Sequence, residues 1–160
     1  MFAIPHMLAG AAIGQRVRPV WVAVPVAFFS HLLLDAIPHH ELTEIPSLVP
    51  WSEFVNVFAS LVAVGLVLVL AEPRPQRWAM IVCAVAGVAL DPLDHAGPAW
   101  FQRWFDQSWL TGWIRPPHNW VQLPSVQVSL WFGFLTQALV IALALYLILA
   151  YRSPRREPPA

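Results

Sequence analysis

The sequence predicts an all-α integral membrane protein, built as a bundle of about five transmembrane helices with one interfacial amphipathic helix in its last outer loop. Three observations lead to this fold class. Of the 160 residues, 58% are hydrophobic and only 11% are charged, and the mean hydropathy is +0.60. A soluble domain needs more charge than this to cover its surface. We therefore expect a single transmembrane helical domain over residues 1–151 and a disordered basic tail over 152–160.

Four apolar segments approach the roughly 20 residues that a helix needs to cross the hydrocarbon core. They cover residues 19–37, 54–71, 77–95 and 126–151. An earlier apolar segment, residues 2–15, is shorter. It has Pro5 in a position typical of a first helical turn, and Gly10 and Gly14 allow close packing on a neighbouring helix. We interpret this segment as a short first span, with a re-entrant helix as the alternative.

The arginines predict the orientation of the bundle, because short cytoplasmic loops carry an excess of basic residues. Arginines occur in alternate loops and in the tail, at positions 16, 18, 74, 77, 152, 155 and 156. The intervening loops, residues 39–53 and 96–125, contain few or none. This pattern predicts a multi-pass protein with its N-terminus outside and its C-terminus in the cytoplasm.

The last outer loop, residues 96–125, is rich in aromatic side chains. They are Trp100, Phe101, Trp104, Phe105, Trp109, Trp113 and Trp120. The first four fall into pairs spaced four residues apart, and such aromatic density is typical of a helix in the membrane interface. We interpret this loop as a membrane anchor, with a lid over a site beneath it as the alternative.

Ionisable residues inside apolar helices are rare and usually functional. In the segment FFSHLLLDAIPHHE, His31 and Asp35 stand four residues apart, which puts them on one helix face, one turn apart. Two ligands of one metal ion require this spacing. Pro38 should end the helix, which leaves His39 and His40 just above it.

A second cluster repeats this pattern in the segment GVALDPLDHAG, where Asp91 and His95 are four residues apart and Asp94 lies between them. The predicted topology brings both clusters, and the first segment's His6, to the outer ends of their helices. The neighbouring turns hold no Lys or Arg, so a divalent cation would supply the missing positive charge. The predicted ligands are His6, His31, Asp35, Asp91 and His95.

Mixed imidazole and carboxylate ligands suit zinc, with manganese or iron as alternatives. Simpler interpretations stay open, since His31 and Asp35 could form only a hydrogen-bonded pair and Asp91 could cap a helix. His40 and Glu41 are interpreted as loop residues. His118 is interpreted as an interfacial histidine, with a position over the site as the alternative.

The same segments resemble a known family. PHMLAGAAIG, FFSHLLLDAIPHHE and LDPLDH are similar to motifs of the YdjM-like inner-membrane proteins, predicted metal-dependent hydrolases, and of their small bacterial relatives with an SHxxxD-xxPH signature. The resemblance covers the first forty residues and the region around Asp91. It matches the family's motifs to His6, His31, Asp35, Asp91, Asp94 and His95.

The resemblance implies a bacterial inner-membrane metallohydrolase that acts on a lipid-like or phosphorylated substrate. In such an enzyme Asp94 or His39 would be the general base that activates water. The His-Arg-Gly-x-Thr-His motif of the longer members is absent from this sequence. The histidines available in its place are His39, His40 and His118.

Two other functions fit the same residues, a proton- or metal-coupled transporter and a non-catalytic scaffold with a structural metal. A transporter needs polar residues that continue to the inner side, and segments 54–71 and 126–151 offer almost none there. The nine basic and nine acidic residues balance, so the charge gives no reason to expect a nucleic-acid partner. The expected partner is the lipid bilayer, and Gly65 and Gly87 could support a homo-oligomer.

Overall fold

The computed structural model describes residues 2–40, 51–70, 76–91, 103–104, 106–109, 111–122 and 128–150. These residues are helical with short connections, which confirms the all-α prediction. The helices are α1 Ala3–Arg16, α2 Val20–Asp35, α3 Ser52–Leu70, α4 Gln76–Val88, α5 Thr111–Gln122 and α6 Leu130–Ala150. The predicted tail over 152–160 lies outside the described residues, as do Asp94 and His95.

The helix bounds follow the predicted apolar segments except at the end of the fourth. The sequence predicts a helix to residue 95. Helix α4 ends at Val88, a turn at Ala89 precedes the helical residues 90–91, and residues 92–95 lie outside the described residues. The chemistry of the next residue explains the early end, because Pro92 has no N–H to donate to the Val88 carbonyl group. Asp91 therefore follows a break in α4.

One described helix, α6, is long and apolar enough to cross a membrane. Helices α2 and α4, and the Phe54–Val69 part of α3, are apolar but shorter than this requirement. The sequence predicts about five spans. Within the described residues, length and composition identify α6 alone as a candidate span.

Helix α1 is the central element of the fold and packs against α2, α3, α4 and α6. Its contact with α4 depends on glycine, since a Cβ atom at Gly10 would overlap the Cys83 carbonyl oxygen and one at Gly14 would overlap that of Ala79. The prediction that these two glycines allow close helix packing is confirmed. The main core forms around α1 from Met7, Leu8, Ala11, Ala12, Ala63, Val67, Met80, Ala84, Ala144 and Ile148.

Hydrogen bonds join both ends of α1 to α6. The backbone N–H of Phe2 donates to Gln137 Oε1 at 2.9 Å, and Gln15 Nε2 donates to the Ile148 carbonyl oxygen at 3.2 Å. Arg16 also donates to the Leu147 carbonyl oxygen. The two helices therefore run in the same direction, and their N-terminal ends lie together.

Candidate metal centre

The inward face of α2 is built from residues spaced four apart. Ala23 and Ala27 are fully buried and pack with Cys83 of α4. The next two members of the row, His31 and Asp35, are also buried. Because the small alanines let α2 approach α4 closely, the polar pair is carried into the interior, where His31 Nε2 lies 3.0 Å from Asp35 Oδ2.

Three more histidines surround the Asp35 carboxylate. His6 of α1 places Nε2 at 3.1 Å from Asp35 Oδ1, and His39 places Nε2 at 3.8 Å from the same oxygen. His118 of α5 places Nε2 at 3.2 Å from Asp35 Oδ2. The side chains of all these residues are 0% exposed. Asp35 is therefore the centre of a buried cluster of imidazoles.

Asp91, which follows α4, completes the cluster, with Oδ1 at 3.1 Å from His31 Nε2. Its side chain is 32% exposed, unlike the fully buried His31. Helix packing explains its position, because a Cβ atom at Gly87 would lie 2.6 Å from the His6 carbonyl oxygen. The glycine lets α1 and the end of α4 meet, and Asp91 marks the accessible side of the site.

Backbone carbonyl groups fix the tautomers of two rings. His31 Nδ1 lies 2.9 Å from the Gly87 carbonyl oxygen, and His39 Nδ1 lies 2.7 Å from that of Ile37. A carbonyl oxygen can only accept, so Nδ1 carries the proton in each ring. In the neutral rings, the Nε2 lone pairs then point at the carboxylate oxygens. Hydrogen-bond acceptors therefore face each other, and a cation or a further proton between them would stabilise the arrangement.

Several ring nitrogens in the cluster lack a hydrogen-bond partner among the described residues. They are His31 Nε2, His6 Nε2 and His6 Nδ1. The two Nε2 atoms lie within 3.1 Å of carboxylate oxygens, close enough to share a proton or a cation with them. The two rings also stack, with centroids 3.9 Å apart, so protonating both would put like charges in contact. A bound cation, or a proton on one of the two rings, would therefore satisfy these facing acceptors.

The ligand chemistry fits a divalent metal ion. His31, Asp35, Asp91 and His118 each offer one ligand atom, and these atoms all lie within 4.8 Å of one another. Two imidazoles and two carboxylates match the number and types of ligands that zinc takes in proteins, and manganese and iron accept the same types. The structure thus contains a His/Asp group that could hold a metal ion.

The structure brings together four of the five predicted ligands, His6, His31, Asp35 and Asp91. The fifth, His95, and the proposed base Asp94 lie outside the described residues. The other proposed base, His39, borders the cluster. His40 is not part of it, since its Nε2 donates to the Val128 carbonyl oxygen at 2.7 Å.

The interpretation of His118 as an interfacial histidine is wrong, because the side chain is buried against Asp35. One signal for this position is present in the sequence. His118 lies two residues before Trp120, on the opposite face of a helix, and Trp120 is 73% exposed. The aromatic residues of α5 therefore mark its outer face, and the histidine lies on the inner one.

The fold and site together define a class, an all-helical protein with apolar helices around a buried histidine and aspartate cluster. No family model, curated protein or solved structure matches the chain. The functional assignment therefore rests on the geometry of the cluster.

Proposed function

We propose that the chain is a multi-pass membrane metallohydrolase whose divalent ion, most suitably zinc, is bound by the cluster around Asp35. The observation that carries this proposal is the His31 imidazole, which is anchored through Nδ1 on the Gly87 carbonyl group and has Nε2 within 3.1 Å of carboxylate oxygens of Asp35 and Asp91. Metal-binding histidines almost always donate their second ring N–H in this way, which fixes the tautomer and the ring orientation.

Charge balance supports the same assignment. The ion pairs described for Asp35 and Asp91 are with histidines, which are neutral in the tautomers that metal binding requires. Burying two carboxylates close together costs several kcal/mol unless cations lie nearby. A divalent cation would compensate for both acids at once and would use the Nε2 lone pairs that otherwise face them.

The exposure of the cluster's residues suggests how a substrate reaches it. A bound divalent ion supplies Lewis-acid chemistry and lowers the pKa of water. Asp91, which is partly exposed, borders the side from which water and substrate can enter. His39 lies outside the four-residue ligand group, so it is a candidate to accept the proton from water, and Asp94 is the other candidate from the sequence. The Ile37 carbonyl group orients the His39 ring for this role.

The surface of the helices supports a membrane location and a lipid-like substrate. Large apolar side chains are exposed along α2, α3 and α6, among them Trp21, Leu33, Phe54, Leu61, Leu139 and Leu143. Soluble monomers rarely expose contiguous apolar surface of this kind. On α5, Trp113 and Trp120 are about as exposed, at 75% and 73%, while His118 reaches the cluster. We propose five spans with the cluster at the outer face, as the arginine pattern predicts.

The resemblance to the YdjM-like inner-membrane proteins supports the hydrolase part of the proposal. The residues that carry this resemblance include His6, His31, Asp35 and Asp91, the same four side chains that meet in the cluster. This supports a lipid-like or phosphorylated substrate.

Elemental analysis of the detergent-purified full chain tests the metal. We expect bound metal in the wild type, less bound metal in His31→Ala, and no change in the matched control His40→Gln, which keeps a donor for the Val128 carbonyl group. Hydrolysis of phosphate-ester and acyl-ester lipids in mixed micelles should require the metal. It should fall at least about 100-fold in His31→Ala, since even mutating the partners of metal ligands costs roughly 10–100-fold.

Two results would overturn the proposal. Wild-type protein that binds no stoichiometric metal, even after dialysis against zinc or manganese, would remove its basis. Metal or proton flux across liposomes, without hydrolysis of any ester, would replace the hydrolase with a transporter.

A further inference from the structure

The two oxygens of the Asp35 carboxylate face different pairs of histidines. Oδ2 lies 3.0 Å from His31 Nε2 and 3.2 Å from His118 Nε2. Oδ1 lies 3.1 Å from His6 Nε2 and 3.8 Å from His39 Nε2. Each oxygen therefore has its own pair of buried imidazoles, each presented through Nε2.

We propose that Asp35 bridges two metal ions. This inference rests on the proposed function and extends it to a second ion. One ion would use the Oδ2 side, with His31, His118 and Asp91. The second would use the Oδ1 side, with His6 and His39 as its imidazole ligands. His39 would then be a ligand, and Asp94 would be the candidate base.

An ion on the Oδ2 side alone leaves the Oδ1 side unexplained. His6 is 0% exposed, and neither of its ring nitrogens has a hydrogen-bond partner among the described residues. Buried polar atoms without a partner are destabilising. A second ion would take the His6 Nε2 lone pair.

The two sides are also built alike. On the Oδ2 side, His31 is anchored through Nδ1 on the Gly87 carbonyl group. On the Oδ1 side, His39 is anchored through Nδ1 on the Ile37 carbonyl group. Each side therefore contains one ring whose tautomer is fixed for metal binding. A single ion bound by the four-residue group would not use the second anchored ring, His39.

A two-ion site narrows the class of substrate. Two divalent ions carry more charge than Asp35 and Asp91 supply, and Asp94 would not cancel the excess. The site would therefore favour an anionic substrate, and paired metal ions are typical of phosphate-ester hydrolysis. The inference accordingly favours a phosphorylated lipid over a neutral acyl ester.

The test is metal stoichiometry, measured on the full chain in detergent with Mn²⁺ as the probe. We expect two equivalents bound per chain, with His6→Ala and His118→Ala each retaining one and the control His40→Gln retaining two. Electron paramagnetic resonance should show spin-coupled Mn²⁺ in the wild type at two equivalents and isolated Mn²⁺ in His6→Ala. The wild-type titration and spectrum need no variant, so a misfolded His6→Ala leaves the test intact.

Different results would overturn the bridged metal pair and the proposed metallohydrolase. One equivalent in the wild type, bound without spin coupling and lost in His31→Ala, would overturn the bridged pair and leave the proposed metallohydrolase standing. No bound metal in the wild type would overturn both. Two equivalents that both survive in His6→Ala and His39→Ala would place the second ion elsewhere and refute the assignment to Asp35 Oδ1.

Discussion

Helices α1 and α6 lie side by side and run in the same direction, yet they occupy opposite environments. Most residues of α1 are buried, including Leu8 and Ala11 at 0% exposure. Most of α6 is exposed, with Leu139 and Leu143 near 60%. Both helices are apolar, so apolar composition alone does not distinguish a helix that builds the interior from one suited to face lipid.

The difference lies in small and polar residues. Helix α1 contains Gly10 and Gly14, which let α4 approach, and His6, which reaches Asp35. Helix α6 contributes fewer buried residues, and at its N-terminal end Gln137 bonds to α1. A short helix with glycines and one histidine therefore serves as the centre of the fold, although it falls well below the length of a membrane span.

The broadest expected effect, on both stability and metal binding, comes from adding one methyl group to the buried helix. Gly10→Ala puts a Cβ atom into the Cys83 carbonyl oxygen, so α1 and α4 must separate. Overpacking of this kind costs about 1–3 kcal/mol and occasionally more, and we expect a lower melting temperature together with weaker metal binding. Gly65→Ala is the matched control, since its Cβ atom meets nothing within 4 Å. Equal melting temperatures for the two variants would contradict the role of Gly10 in the packing of α1 against α4.

A leucine-to-alanine substitution in each of α1 and α6 compares the two helices directly. Leu8→Ala removes a fully buried side chain from the core around α1, and such changes cost roughly 2–5 kcal/mol. Leu139→Ala on α6 removes a side chain that is 60% exposed, so it should change the free energy of unfolding by less than about 1 kcal/mol. Denaturation in one detergent measures both. A larger loss for Leu139→Ala would show that α6 packs against protein at this position.

The sequence predicts much of the fold because its signals are local. Apolar length fixes where helices occur, and spacing places His31 over Asp35 on one face. Gly10 and Gly14 stand one turn apart, which indicates a packing face before any partner is known. The predicted segment 77–95 is interrupted at Ala89, where Pro92, four residues after Val88, removes a backbone hydrogen bond that apolar character alone does not reveal.

The site was harder to predict, because its members come from four separate parts of the chain. The predicted topology places His6 and Asp91 at the same membrane depth as His31. It does not predict which imidazole nitrogen faces which carboxylate oxygen. His118 was misinterpreted because its surroundings suggested the interface. Its burial depends on how α5 packs against α2, a tertiary contact with no local signature except the face opposite Trp120.

The smallest expected effect concerns the hydrogen bonds that join α1 and α6 at their two ends. At the site end, Gln137 accepts from the Phe2 N–H and donates to the His40 carbonyl oxygen at 3.0 Å. Gln137→Leu leaves both groups without this partner, which costs about 1–2 kcal/mol. It also loosens the turn that carries His39, so the affinity for Mn²⁺ should fall a few-fold.

A glutamine-to-leucine substitution at the C-terminal end of α1 is the matched control for this prediction. Gln15→Leu removes the hydrogen bond to the Ile148 carbonyl oxygen, far along α1 from His6. It should lower stability by a similar or smaller amount, about 1 kcal/mol, and leave Mn²⁺ affinity unchanged. Equal losses of affinity in both variants would mean that metal binding reports on overall stability. A loss confined to Gln137→Leu would show that α6, although mostly exposed, positions the site through one buried amide.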